Sequence, residues 1–339
     1  MRPAINTLSL LIIMTLFTQC NQPEKLQLVK FMGEAQGTYF MVSYYDQKGQ
    51  DLQEEVVKIL KDFDMSASLW EPNSVISRIN RNELEVIPDK VFITLFDMSK
   101  EINEKSGGAF DPTVGQLVNA WGFGFKNGIP MDQSVADSLL MITGLNKVYL
   151  DNGNIYKEDP GIQFDFNAIA QGYSVDLIGE FLETKGIINY LVDVGGEVLG
   201  KGVKPDGEHW KVGIEKPSDG AAYGDELKAV IRLKDRAIAT SGNYRKFYEK
   251  EGTKYSHTID PATGFPVQHT VLSVSVLADN CAIADAWATA FMVLGLEKSI
   301  ELLSNEPGLD AYFIYTDAGE GTLKTYSSKG FREVMVKEE

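Results

Sequence analysis

Cysteine is nearly absent: the 339-residue chain carries two, Cys20 and Cys281. Cys20 ends a leader described below, so the body of the chain holds Cys281 alone and no internal disulfide can form. The fold must rest on its core, and a hydrophobic content of 44% over this length can supply one. Basic residues are also short, with 32 Lys and Arg against 48 Asp and Glu and a formal charge of −16. With no basic cluster to attract a phosphate backbone, nucleic acid is excluded as a partner. An acidic surface suits an exported protein and concentrates divalent cations. Long hydrophobic runs are missing too: Leu8 to Phe17 spans about ten residues where a bilayer-crossing helix needs roughly twenty. No Pro-rich, Ser-rich or low-complexity linker divides the chain and no repeat recurs, so residues 21–339 are expected to form one compact two-lobed unit. Neither a G-x-G-x-x-G after a strand nor a P-loop is found, which leaves a Rossmann-type cofactor site unsupported.

What is present begins at the N-terminus. Arg2, the short apolar run, Cys20 and the polar stretch Asn21 to Lys25 have the layout of an export signal over residues 1–20. A signal ending in a lone cysteine predicts a bacterial lipoprotein, lipidated at Cys20 and held on a membrane facing the periplasm or the cell exterior. Phe17, Thr18 and Gln19 replace the usual Leu and small residues, so a plain secretory signal or a short hydrophobic anchor remains an alternative.

Periodicity predicts a hairpin from Leu26–Phe31 and Tyr39–Tyr45 around Gly37, and helices over Leu52–Phe63, Val91–Ile102, Asp111–Trp121 and Ala168–Leu182, with a short one opened by Pro72-Asn73-Ser74. The second half changes character. Tyr190–Val194, Val198–Gly202, Trp210–Glu215, Leu227–Leu233, Ala237–Thr240 and Thr270–Leu277 are short and β-prone, followed by helices Asp279–Leu294 and Lys298–Leu303 and strands Asp310–Tyr315 and Thr322–Tyr326. This order predicts a mixed α+β fold with a largely antiparallel sheet flanked by helices, not a βαβ array.

Several residues carry candidate chemistry. Glycines stand at loop positions such as Gly107-Gly108, Gly122, Gly172, Gly195-Gly196 and Gly264, either as simple turns or as loops gathered around a bulky ligand. Asp285 and Thr289 lie four apart on an apolar helix, so their oxygens share a face. A hard cation would give that carboxylate a partner, and a cap near the helix start is the other reading. His257, followed by Asp260 in a strand-to-turn segment, is placed to act as a general base or as a structural histidine. Asp165 precedes a helix it can cap. Trp70 and Trp121 can stack on a flat ring or pack in the core.

Together these segments resemble the ApbE family, the FAD:protein FMN transferases or flavin transferases. The blocks run in order: Gly37-Thr-Tyr39, Ser74 to Asn80, Phe110 to Gly124, Asp165 to Asp176, Val192 to Val198, Ala239 to Tyr244, Ser256 to Pro266 and Ala284 to Thr289. The resemblance implies a two-lobed T-fold-like architecture with FAD as substrate between the lobes and Mg2+ at its pyrophosphate. It implies metal ligation by the backbone oxygen of Ala168 with Asp285 and Thr289, and FAD contacts at Trp70, Ala109, Phe110, Asp111, Asp165, Gln171 and Ile259. Gln171 stands where Lys or Glu is usual, Gln36 where Met commonly precedes the Gly-Thr pair, and Ala288 where some members carry another acid.

The reaction so implied joins FMN to a Thr or Ser hydroxyl of an acceptor protein and releases AMP, with His257 accepting the hydroxyl proton and Asp260 orienting it. Acceptors in the family are typically flavin-carrying subunits of membrane redox complexes. Two rival expectations use the same residues: water as acceptor would make the chain an FAD pyrophosphatase, and a non-catalytic flavin-binding lipoprotein would leave FAD intact.

Overall fold

The structure is a computed structural model that describes residues 26–124, 128–216, 227–243, 247–250, 253–317 and 322–336. The leader with Cys20, and Tyr244, lie outside the described residues.

The chain opens with the hairpin β1 (Gln27–Ala35) and β2 (Thr38–Asp46), joined through Gln36 and Gly37, which adopt φ of 54° and 73°. A helical stretch follows: α1 (Gln53–Ala67), α2 (Val75–Asn80), α3 (Lys90–Lys105), α4 (Gly115–Trp121) and α5 (Gln133–Leu140). The small hairpin β3 (Val148–Asp151) and β4 (Asn154–Lys157) leads to α6 (Ala170–Thr184). Then come β5 (Tyr190–Val194), β6 (Glu197–Lys201), β7 (Trp210–Glu215), β8 (Leu227–Leu233), β9 (Arg236–Gly242), β10 (Phe247–Lys250), β11 (Thr253–Ser256) and β12 (Val271–Ala278). The chain closes with α7 (Cys281–Leu294), α8 (Leu296–Leu303), β13 (Asp310–Thr316), β14 (Leu323–Ser327) and α9 (Lys329–Val334).

Local chemistry sets the helix starts. Ser74, Asp89 and Asn280 each accept a backbone N–H three residues on, from Ser77 at 3.1 Å, Phe92 at 2.9 Å and Ile283 at 3.0 Å, as N-cap side chains do. Val56, Leu60, Phe63 and Ala67 recur at helical spacing and form the buried stripe of α1.

Eight strands form one sheet in the order β1-β2-β5-β6-β9-β12-β13-β14, antiparallel at every pairing. Strand alternation divides its two faces. Ala237 and Ala239, Val274 and Val276, and Ala311 and Phe313 face the helices, in clusters with Val175 and Ile178 of α6 and with Ala284 and Phe291 of α7. Ile238, Leu277, Tyr312 and Ile314 face the other way, onto Ile214 and Ile231 of the β7–β8 hairpin and Phe331 of α9. The result is a helical layer, a sheet and a thinner cover. Gly172 marks the tightest approach in the helical layer: a Cβ there would lie 2.4 Å from the Cys281 carbonyl oxygen, so glycine is required where α6 crosses α7.

The predicted mixed α+β fold and antiparallel sheet are observed, and helix boundaries shift by up to four residues, two of the shifts with a clear local cause. The helix expected from Asp111 begins at Gly115, because the Asp111 carboxylate holds Thr113 in a turn and Gly115 N–H donates to the Gln163 carbonyl at 3.2 Å. The helix expected from Ala168 begins at Ala170, after a turn in which Ile169 and Ala170 N–H donate to Phe166 O. Helices α5 and α9, the hairpin β3–β4 and strand β10 escaped the periodicity, since elements of four to eight residues carry too few repeats to register. Among the described residues no helix is long and apolar enough to cross a membrane.

Candidate active site

The site is built where α6, α7 and the β5–β6 turn meet. Gly172 N–H in the first turn of α6 donates to the Asp285 Oδ2 at 3.1 Å, which brings the Ala168 turn alongside α7. One turn on along α7, the Thr289 hydroxyl shares a hydrogen bond of 3.0 Å with the Ser241 hydroxyl near the end of β9. Ser241 lies on the helix-facing side of β9, two residues after the core residue Ala239, so the alternation of the strand places it. Gln171 Nε2 donates to Val194 O at 2.9 Å and fastens the Gly195-Gly196 turn. A side chain at Gly195 would strike Gln171 Nε2 at 2.0 Å, and its φ of 63° also favours glycine.

Four acids gather around this junction. Burial pushes the Asp285 carboxyl up to about 7. Asp176 of α6 is likewise pushed up to about 7 by burial, partly offset by the N–H groups of Cys281 at 2.7 Å and Ala282 at 2.9 Å, with which it anchors the start of α7. Burial raises Asp193, which accepts from Gly196 N–H and from Tyr39 O–H. Glu197 is raised well above the carboxylate range by burial and by the Asp285 charge, and its Oε2 is buried without a hydrogen-bond partner. No ion pair to Lys or Arg is formed by Asp285 or Glu197 among the described residues. On the adjoining β1–β2 turn, Gln36 Oε1 accepts from Ser174 O–H at 3.2 Å while its Nε2 is buried and unpartnered.

The loop bearing His257 is attached to the same end of the sheet. Thr258 O–H donates to Asn243 Oδ1 at 2.8 Å, two residues beyond Ser241. The His257 ring meets Phe123 edge to face, with centroids 6.5 Å apart. Both Asp260 carboxylate oxygens accept within their own turn, from Ala262 N–H and Thr263 O–H, so Asp260 fixes the turn that follows His257. Ile259 is buried and bridges to Pro266. Trp121 docks the loop onto α4, its Nε1 donating to Gly264 O at 2.8 Å and its ring lying 5.6 Å from Phe265.

A third group lines the adjacent segment. Asp165 N–H donates to Pro112 O at 2.7 Å, and its carboxyl, raised by burial, accepts from Asn167 N–H. Asp111 accepts from Thr113 through Oδ1 and from Leu145 N–H through Oδ2, which makes it a brace of the loop. Ala109 and Phe110 are buried next to Gly107 and Gly108, which adopt φ of 65° and 87° and have open space where a Cβ would stand. Trp70 is 66% exposed in the turn after α1. No sequence pattern assigns a role to Asp176, Asp193, Glu197, Ser174 or Ser241. Each stands in or beside a motif block, but only the crossing of α6, β5–β6 and α7 gathers them.

A family model described as the ApbE family matches residues 36–313. The FAD:protein FMN transferase of Vibrio cholerae is 34% identical over 342 residues, covering 98% of this chain and 99% of that protein. Its counterpart in Escherichia coli K12 is 33% identical, covering 100% and 99%. Among solved structures, the flavin transferase ApbE from Vibrio cholerae superposes with a TM-score of 0.81 at 32% identity, over 91% of this chain and 100% of that one. The apo form of the Pseudomonas stutzeri flavinyl transferase ApbE gives 0.80 at 32%, over 91% and 97%.

Proposed function

The chain belongs to the ApbE family, and from that premise we propose that it moves the FMN half of FAD onto a threonine or serine hydroxyl of an acceptor protein, releasing AMP. The relatives' names support flavin transfer. The observation that carries the magnesium dependence is the buried Asp285 carboxyl one turn from the Thr289 hydroxyl, with no basic side chain among the described residues paired to it. An isolated carboxylate is costly to bury, and a hard divalent cation held by oxygens is the partner that keeps it ionised at neutral pH. The donors fit magnesium: the Asp285 carboxylate, the Thr289 hydroxyl and the backbone oxygen of Ala168, in the turn that Gly172 ties to Asp285. When bound, the ion neutralises pyrophosphate oxygens and favours departure of AMP.

The remaining steps belong to the chain's own side chains. His257 accepts the proton of the attacking hydroxyl, and Asp260 shapes the turn beneath it. Exposed Trp70 offers a face on which the flavin ring stacks, and the open backbone at Gly107-Gly108 admits a bulky ligand. The leader motif supports a lipid on Cys20, which would hold the enzyme on the outer face of a membrane near an acceptor subunit of a redox complex.

The purified protein incubated with FAD, magnesium and a candidate acceptor is expected to place flavin fluorescence on the acceptor band, and chelation is expected to abolish it. Free FMN and AMP with an unmodified acceptor would reject transfer in favour of hydrolysis, and intact FAD would reject catalysis. Mass spectrometry of the mature N-terminus tests the lipid.

A further inference from the structure

Glu197 has no part in the reading above, yet its surroundings are unusual. It opens β6 directly after the Gly195-Gly196 turn, in register with Val194 of β5. Strand alternation puts its side chain on the same face as Leu199, which packs with Val175 and Ile178 of α6 and with Cys281 of α7. Glu197 therefore faces α7, which carries Asp285 and Thr289, and α6, which follows directly on the Ala168 turn. Consecutive residues of α6 fix the spacing: Gln171 holds Val194, directly opposite Glu197, and Gly172 holds Asp285. The Glu197 Oε2 atom is nonetheless buried with no partner, whereas buried polar atoms in folded proteins are almost always satisfied. The charges that act on this carboxyl are those of Asp285 and Asp193, both acids. No described Lys or Arg pairs with it. A buried, unsatisfied acceptor beside a second acid is matched to a positive charge, and to one delivered by a ligand.

We propose that Glu197 supplies a second carboxylate to the divalent cation held by Asp285, directly or through a water on the ion. This rests on the magnesium reading above and extends it: acids on facing elements, β6 and α7, share the ion. Hard divalent cations take six or more oxygens and accept water-bridged carboxylates, so an added acid is compatible with the Ala168, Asp285 and Thr289 donors.

The test is calorimetric titration of the full-length protein with Mn2+ alone, in the absence of FAD, for the wild type and for Glu197→Gln. The amide keeps size and polarity and removes the charge. Mn2+ affinity is expected to fall tenfold or more in Glu197→Gln, while its melting temperature in chelator stays level or rises with the loss of an unpaired acid. Equal affinity in the two proteins would overturn the role of Glu197 with the metal site intact. A wild type that binds no Mn2+ would overturn the magnesium reading itself. Should Glu197→Gln fail to fold, the metal-induced rise in melting temperature of Glu197→Asp decides: a smaller rise than wild type supports the proposal and an equal one overturns it.

Discussion

Asp285 and Cys281 stand four residues apart on one helix, and burial gives them different consequences. The Asp285 carboxyl needs a partner, so Asp285→Asn is expected to lower flavin transfer at least a hundredfold and to remove the magnesium-induced rise in melting temperature, read by enzyme assay and thermal shift. The Cys281 thiol is raised well above its usual range by burial and by nearby acids, and it has no exposed surface. A Cys20→Ser chain is therefore expected to show no reaction with a chromogenic disulfide at pH 8 until denatured, when one thiol titrates. Rapid labelling of the folded chain would show that α7 opens.

At the scale of elements, the α6–α7 crossing carries the site. Gly172 serves it twice, by letting the helices approach and by donating its N–H to Asp285. Gly172→Ala would set a methyl 2.4 Å from the Cys281 carbonyl and 2.9 Å from Ala282 Cα, both backbone atoms that cannot rotate away. A loss of about 1–3 kcal/mol is expected from such overpacking, together with weaker metal binding, measured by chemical denaturation and Mn2+ titration. Unchanged values in both would show that α6 slides freely along α7. The helix boundaries have the same logic: Asp111 and Phe166 direct their local hydrogen bonds into turns, delaying α4 and α6 beyond the points that apolar spacing suggested.

Across the whole molecule, buried titratable groups set opposing slopes of stability with pH. Asp176 and Asp285, held near 7 when folded against a usual 3.8, keep protons that the unfolded chain releases. Stability in chelator is thus full below about pH 4 for these two groups and declines as pH rises towards 7, by at most about 1.4 kcal/mol per pH unit for each. Lys157 works in the other direction. Its ammonium, buried between the carbonyls of Ile79 and Ile162, is depressed to about 8, so the unfolded chain binds the extra proton between about 8 and 10.5 and stability rises there. Scanning calorimetry in chelator is expected to show a minimum near neutral to mildly alkaline pH. Asp176→Asn should flatten the acid-side decline, and an unchanged slope in that variant would remove Asp176 from the account.

The sequence by itself determined the α+β class, most strands of the second half and the placement of Asp285 and Thr289 one turn apart on a helix, because each depends on a local period of two or of 3.6 residues, and its blocks identified the family. It also pointed to His257, through the segment in which it stands. Tertiary structure alone decided that Asp260 and Asp111 brace loops, that Ser241 meets Thr289, and that Asp176, Asp193 and Glu197 enclose one junction with Asp285. These residues lie as much as about a hundred positions apart, and no local period records a distance that only the folded sheet and the α6–α7 crossing impose.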